Sequence, residues 1–321
     1  MDWGSILSTS LSGMLGPFAA IYALATLGLN LHFGYTGLLN FGHIAFMMVG
    51  AFGIGSAIVK FGLSMWWGLL VAILASVVLA LVLGIPTLRL RGDYLAIATI
   101  AAGEALRLFF NSSYLESVTN GPFGLGPAAD EFDTLNPLDK GRMYSFGPFQ
   151  YQGGDLWIMI ITWSLVILGC LMMFMLMRSP WGRVLRSVRE DELAARSLGK
   201  NVYSFKLQSL VLGGVLGGLA GVMWTMDAST QYPANFDPRI TFYLWVIMIL
   251  GGAGRILGPV LGSLVFWFLF TFLDGFLKGL DLGLNTGAAR IAVVGLALVL
   301  LMVFRPAGIL GNREEMRLEV R

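Results

Sequence analysis

The sequence is poor in almost everything that soluble chemistry uses. Its single cysteine, Cys170, lies inside an apolar run, which excludes an intramolecular disulfide and any cysteine metal cluster. The two histidines, His32 and His43, stand eleven apart and match no familiar metal spacing. Only 12% of the 321 residues are charged and the net charge is +2, too small to argue for nucleic acid as a partner. No G-x-x-x-x-G-K-[ST] phosphate loop occurs, so the chain does not bind ATP by that route. Without H-E-x-x-H or G-x-S-x-G, an intramembrane metalloenzyme or hydrolase has nothing to work with. The N-terminus has no basic region followed by a small-residue cleavage site, so no removable signal peptide is read, and the first apolar run is expected to direct insertion.

What is present is hydrophobic length. Apolar residues make up 56% of the chain. Runs long enough to span a bilayer fall at 10–31, 38–59, 66–86, 94–110, 156–177, 207–227, 239–253, 258–274 and 288–304. The reading is an all-α integral membrane protein, one transmembrane domain over 1–321, with about nine spans and a range of eight to ten. The segment 178–206 carries seven bases against three acids, and each charge would cost about 2.5–3.5 kcal/mol at mid-membrane, so it is a loop and its basic excess places it in the cytoplasm. Alternating from there puts Arg89, Arg91, Arg255 and the tail 305–321 inside, and the N-terminus and the acidic loop 111–155 outside. Asp227, Asp237, Arg239, Asp274, Asp281 and Arg290 then fall at outer ends.

Several local signals stand out against this background. Within SPWGRVLRSVREDELAARSLGKNVYSFKL (179–207), Ser179 before Pro180 reads as an N-cap, Ser187 to Glu190 fits a capping box opening a second helix, and Gly199 supplies a left-handed stop. Leu193 and Leu198 then form a small apolar knob, with Ala194 and Ala195 allowing close approach of a partner backbone. A solvated basic loop that only sets topology accounts for the same composition. The second apolar run is rich in glycine and polar groups, so its start is read as broken, with Gly37, Asn40, Phe41, Gly42, His43 and Phe46 against a translocation path. Asn40 and His43 as simple bonds between helices is the competing reading. Gly213, Gly217 and Gly221, Gly214 and Gly218, and Gly254, Gly258 and Gly262 mark close helix packing. Glu104 and Arg107, three apart on one helix face, are read as a buried ion pair, with Glu104 as a proton relay the sharper alternative. The turn-rich segment 119–124 is read as a cover over the pore entrance.

Residues 192–199, ELAARSLG, resemble the E-A-A-x-x-x-G coupling signature of binding-protein-dependent ABC permeases, although Leu193 stands where that signature has glutamate, with Glu192 beside it. Together with GYTGLLNFGHIAF (34–46), LRLRGDYLAIATIAAGEALRL (88–108), TNGPFGL (119–125) and LGGAGRILGPVLGS (250–263), in this order, the chain resembles branched-chain amino acid permease subunits of the LivM type over most of 22–310. The resemblance implies a multi-pass protein of the bacterial cytoplasmic (inner) membrane. Its partners would be lipid, a second homologous permease, two ATPase subunits that carry ATP and Mg, and a solute-binding protein, with no cofactor on this chain. It also implies ATPase coupling through Ser187, Glu190, Asp191, Glu192, Ala194, Ala195 and Gly199. The implied cargo is leucine, isoleucine and valine, and urea or short amides stay open as an alternative. Phe41, Phe46 and Met47 beside Asn40 and His43 suit the larger solute. An ion-coupled carrier using Glu104, or a passive channel, are readings of another class.

Overall fold

Lipid offers backbone N–H and C=O groups no partner, so the apolar runs can cross only as helices that satisfy them internally. The computed structural model describes residues 3–279 other than 91, 148 and 229, together with Gly287, Ala292, Gly295, Leu296, Val299 and 308–311. In chain order the helices are α1 Trp3–Leu15, α2 Pro17–Asn30, α3 Ile44–Val59, α4 Met65–Thr87, α5 Gly92–Phe110, the short α6 Glu116–Thr119 and α7 Asp130–Thr134, α8 Gly153–Arg178, α9 Pro180–Glu190, α10 Glu192–Ser197, α11 Val202–Asp227, α12 Arg239–Gly251 and α13 Gly258–Gly279. The α2 helix runs on into a π-helical turn, Leu31–Tyr35. An antiparallel hairpin, β1 Met143–Phe146 and β2 Phe149–Gln152, interrupts the helical pattern in the 111–155 loop. It is anchored to α1, where the Tyr151 hydroxyl donates to the Ser12 carbonyl at 2.7 Å.

Among the described residues, five stretches are long and apolar enough to cross a membrane unaided: Trp3–Tyr35, α4, α8, α11 and α13. A sixth joins α5 to Ser113–Thr119 across a 64° bend. At 16 and 13 residues, α3 and α12 fall short of the roughly 20 that a straight span needs. Both are buried along most of their length, and the irregular segment 36–43 before α3 is mostly enclosed as well, whereas 60–64 after it is exposed. Eight of the nine expected runs thus coincide with helices, but fewer of them are full spans, and the count of nine is not established. The ninth run, 288–304, lies largely outside the described residues, as do Arg91, Asp281, Arg290 and nearly all of the tail 305–321.

α11 is the axis of the bundle. Gly213 meets the α2 backbone at Gly28, Gly218 meets both the α3 backbone at Gly50 and the Ser76 hydroxyl on α4, and Gly221 meets the Met47 carbonyl on α3. A Cβ at any of these three would overlap its neighbour, so the repeated glycines are there to bring backbones together. The later series is different. Gly258 and Gly262 pack α13 against the end of α12, whereas Gly254 sits in the turn before α13 with φ +74°, where its missing side chain permits the left-handed conformation. The α4 and α8 helices present exposed apolar side chains outward, among them Leu74, Val78 and Val82 on α4 and Ile167, Leu168 and Leu171 on α8. Because α8 is 26 residues long, about 39 Å, it holds the 111–155 loop and the basic segment at opposite ends of the molecule.

Candidate coupling surface and buried polar core

The basic segment folds as two short helices, with one boundary moved from its expected place. Ser179 caps α9 as its sequence indicates, its hydroxyl accepting from Gly182 N at 3.5 Å. The capping box at Ser187 is not formed. Leu185 and Val188 share the buried face of α9, so that helix continues through Glu190, and the Ser187 hydroxyl donates to the Val184 carbonyl at 2.8 Å instead. Asp191 caps α10, accepting from Ala194 N at 3.0 Å. At the far end Gly199 adopts φ +75° and closes a Schellman motif, with Lys200 N donating to the Ala195 carbonyl and Gly199 N to the Arg196 carbonyl. The two alanines have different roles. Ala195 is buried against Val188 and Val202 and belongs to the chain's own packing, while Ala194 is exposed beside Leu193 and Leu198, which are 73% and 77% exposed.

Glu192 accepts from Lys206 at 2.5 Å and from Arg196 at 2.6 Å, which ties α10 to the first turn of α11. Partial burial works against its charge, but the hydrogen bond from Lys206 and the charges of Lys206 and Arg196 outweigh it and hold the carboxyl below the usual carboxylate range. From the last turn of α9, Arg189 reaches back and donates to the Gly34 carbonyl at 2.5 Å. Its guanidinium also lies beside Gly254, and its stem beside Gly37, which is exposed at this end. One side chain therefore joins the basic segment to the loop before α3 and to the loop between α12 and α13.

Behind that junction the break before α3 is held by polar groups. Asn30 donates to the Arg255 carbonyl at 2.9 Å and accepts from Gly254 N at 2.8 Å. Asn40 donates to His32 Nδ1 at 3.1 Å and accepts from Gly42 N at 3.0 Å. His32 Nε2 contacts the Leu210 carbonyl at 3.1 Å and His43 Nε2 the Ala25 carbonyl at 3.0 Å. A carbonyl only accepts, so both rings carry their proton on Nε2. The amides that the broken turn leaves without a helical partner find Thr99, which accepts from Phe41 N, and Thr241, which accepts from Ile44 N. The rings of His32 and His43 lie 5.2 Å apart, with Phe46 alongside each.

Of the expected path residues, Asn40, Gly42, His43 and Phe46 are thus enclosed in the bundle and bridge helices α2, α5 and α11. Phe41 is half-buried and stacks on Trp245 at 4.5 Å. Glu104 and Arg107 form a two-pronged ion pair at 2.5 and 2.9 Å, half-buried rather than enclosed. Asn30, His32, Arg189 and Lys206 were missed as site residues. For Asn30 and His32 a signal existed, since polar side chains inside an apolar run seek partners. Nothing in the sequence ties Arg189 to Gly34, 155 residues away.

Comparison with known proteins identifies the family. The sequence model described as branched-chain amino acid transport system / permease component matches residues 14–304. The high-affinity branched-chain amino acid transport system permease protein LivM of Salmonella typhimurium is 29% identical over 305 residues, 92% of this chain and 69% of that relative. The probable branched-chain amino acid transport permease protein LivM of Methanocaldococcus jannaschii is 24% identical over 291 residues, 78% of each chain. A more distant relative, the guanosine ABC transporter permease protein NupQ of Bacillus subtilis, is 25% identical over 246 residues, 72% of each. With a family match over most of its length and a bundle of apolar helices crossing between a basic and an acidic end, the chain belongs to the branched-chain amino acid transport system permease family.

Proposed function

We propose that this chain is a membrane-spanning subunit of a binding-protein-dependent ABC importer and passes branched-chain amino acids inward, using ATP and Mg bound by two partner ATPase subunits. The observation that carries the reading is the Arg189 junction, because it links a surface of exposed apolar side chains at the basic end to the broken span in the bundle. In this reading the basic end is cytoplasmic and the N-terminus external. Leu193, Ala194 and Leu198 meet an ATPase subunit, a second, homologous permease pairs laterally, and a solute-binding protein docks at the 111–155 end. Closure of the ATPases displaces α10 and α9. Arg189 passes that displacement to Gly34 and Gly254, α3 shifts against the glycine faces of α11 and α12 against those of α13, giving alternating access as discrete repacking.

The cargo assignment draws on the relatives named for branched-chain amino acids and on an interior whose aromatic groups, Phe41 and Phe46, adjoin the amides and imidazoles of Asn40 and His43. Reconstituted with its ATPases, permease partner and binding protein, the chain should support ATP-dependent accumulation of labelled leucine, and urea should neither accumulate nor compete. Uptake of urea or guanosine without leucine would overturn the cargo. Leucine uptake that persists without an ATPase would overturn the mechanism in favour of an ion-coupled carrier.

A further inference from the structure

An apolar crevice of about 260 Å³ opens between α4 and α8 near the 111–155 end. Trp157, Ile161 and Leu165, four apart, form one stripe down α8, and Leu219, Val222 and Met226 of α11 form the floor. Trp66 closes the α4 side, and Phe132 of α7 covers the end, held in place where the Glu131 carboxylate accepts from Met65 N at the start of α4. From Trp157 to Leu165 the stripe is about 12 Å long and runs parallel to the helix. The rings of Trp66 and Trp157 stand in the first turns of their helices, the level at which aromatic side chains meet the membrane–water interface. The crevice thus starts at the interface and reaches down most of the roughly 15 Å that one leaflet's half of a 30 Å hydrocarbon core provides.

Shape and chemistry select the occupant. No polar surface lines the crevice, so an amino acid would leave its ammonium and carboxylate unpaired there. A single hydrocarbon chain is slender enough and needs no polar contact. The rims are lipid-facing, with Leu70 on α4 and Ile160 on α8 44% and 46% exposed. We infer that the crevice is a binding site for one acyl chain of a membrane phospholipid, drawn from the leaflet at the 111–155 end, which fills the gap that α4 and α8 leave over α11.

The test uses the assembled transporter with its partner subunits in vesicles of phosphatidylglycerol carrying a diazirine within one acyl chain, followed by photolysis and mapping of adducts by mass spectrometry. The expected result is labelling of Leu219, Val222 and Leu165 about tenfold above that of the exposed Leu74 and Leu168. Val222→Trp, which fills the crevice from its floor, should abolish floor adducts and leave those at Leu74 and Leu168 unchanged. Floor labelling no greater than at Leu74 and Leu168 in the wild type would overturn the site and leave only annular lipid. Absence of floor adducts in the wild-type assembly would equally overturn it, giving the crevice to a protein partner or to none. Because the wild-type ratio decides between these outcomes, a Val222→Trp protein that fails to insert leaves the test intact.

Discussion

Arg189 and Glu192 are charged side chains whose partners tie the basic segment to the rest of the bundle. If Arg189 carries motion into the bundle, Arg189→Ala should leave the ATPase subunits bound through α10 and hydrolysing, while uptake falls. A lost hydrogen bond from a charged group is worth about 1.5–3 kcal/mol, which corresponds to roughly ten- to a hundredfold in transport. Measuring uptake and hydrolysis side by side decides the matter, because equal losses in both would make Arg189 a folding contact only. For Glu192 the sign is set by its depressed folded-state pKa. The stabilisation is complete above the unfolded carboxylate value near 4.5 and is lost as pH falls through the lower folded value. Protection factors of α10 amides, with the intrinsic pH dependence of exchange divided out, should therefore fall below that range in the native chain. In Glu192→Gln they should already be low at neutral pH and nearly independent of pH. Glu192→Arg would face Lys206 and Arg196 with a like charge and push α10 away, so normal insertion with loss of ATPase docking is expected.

At the scale of single elements, Gly199 and Gly221 separate two uses of glycine. A side chain at Gly199 meets nothing within 4 Å, so Gly199→Val is opposed only by the left-handed backbone, at a cost of about 1–2 kcal/mol. The variant should reach the membrane at normal levels and lose docking and transport, and Gly199→Asn, a residue that tolerates this conformation, should retain both. Retained transport by Gly199→Val would reduce α10 to a basic loop. Gly221 has the opposite constraint, since its Cα faces the Met47 carbonyl and any side chain forces α11 and α3 apart. Gly221→Val should lower the melting temperature in detergent by about 2–4 °C, as overpacking of 1–3 kcal/mol predicts for a chain of this size. Gly154→Ala, with open space at its Cα, serves as the control that should not move it.

The whole molecule has two chemically different ends, and its topology rests on which of them faces the cytoplasm. In a Cys170→Ser background, a cysteine at Ser204 should be labelled only from the cytoplasm and one at Asn136 only from outside. Labelling of both from one side would contradict the single crossing by α8 that separates them. The background substitution is needed because Cys170 is only partly buried on α8, with its sulfur 4.0 Å from the Ile256 carbonyl. α8 turns Gly169 toward α2 and α11 and leaves its neighbours toward lipid.

Short-range chemistry was legible from the residues alone. Apolar length established a membrane protein, the basic excess of 178–206 set its ends apart, Ser179 and Gly199 marked helix boundaries by what their own backbone and hydroxyl do, and the glycine repeats announced close packing. The fold decided the rest, because most of the spanning helices are apolar on every side, so a lipid-facing flank and a protein-facing flank read alike in sequence. Whether Ala194 or Ala195 faces outward depended on where Val188 and Val202 packed, and Asp191 displaced Ser187 as the cap because α9 had a buried face to complete. The pairing of Asn40 with His32, the reach of Arg189 to Gly34 and the crevice over α11 arise only when helices distant in sequence are brought together. Contacts of that kind follow from which faces pack, and a nearly uniform apolar sequence leaves that choice to the assembled bundle.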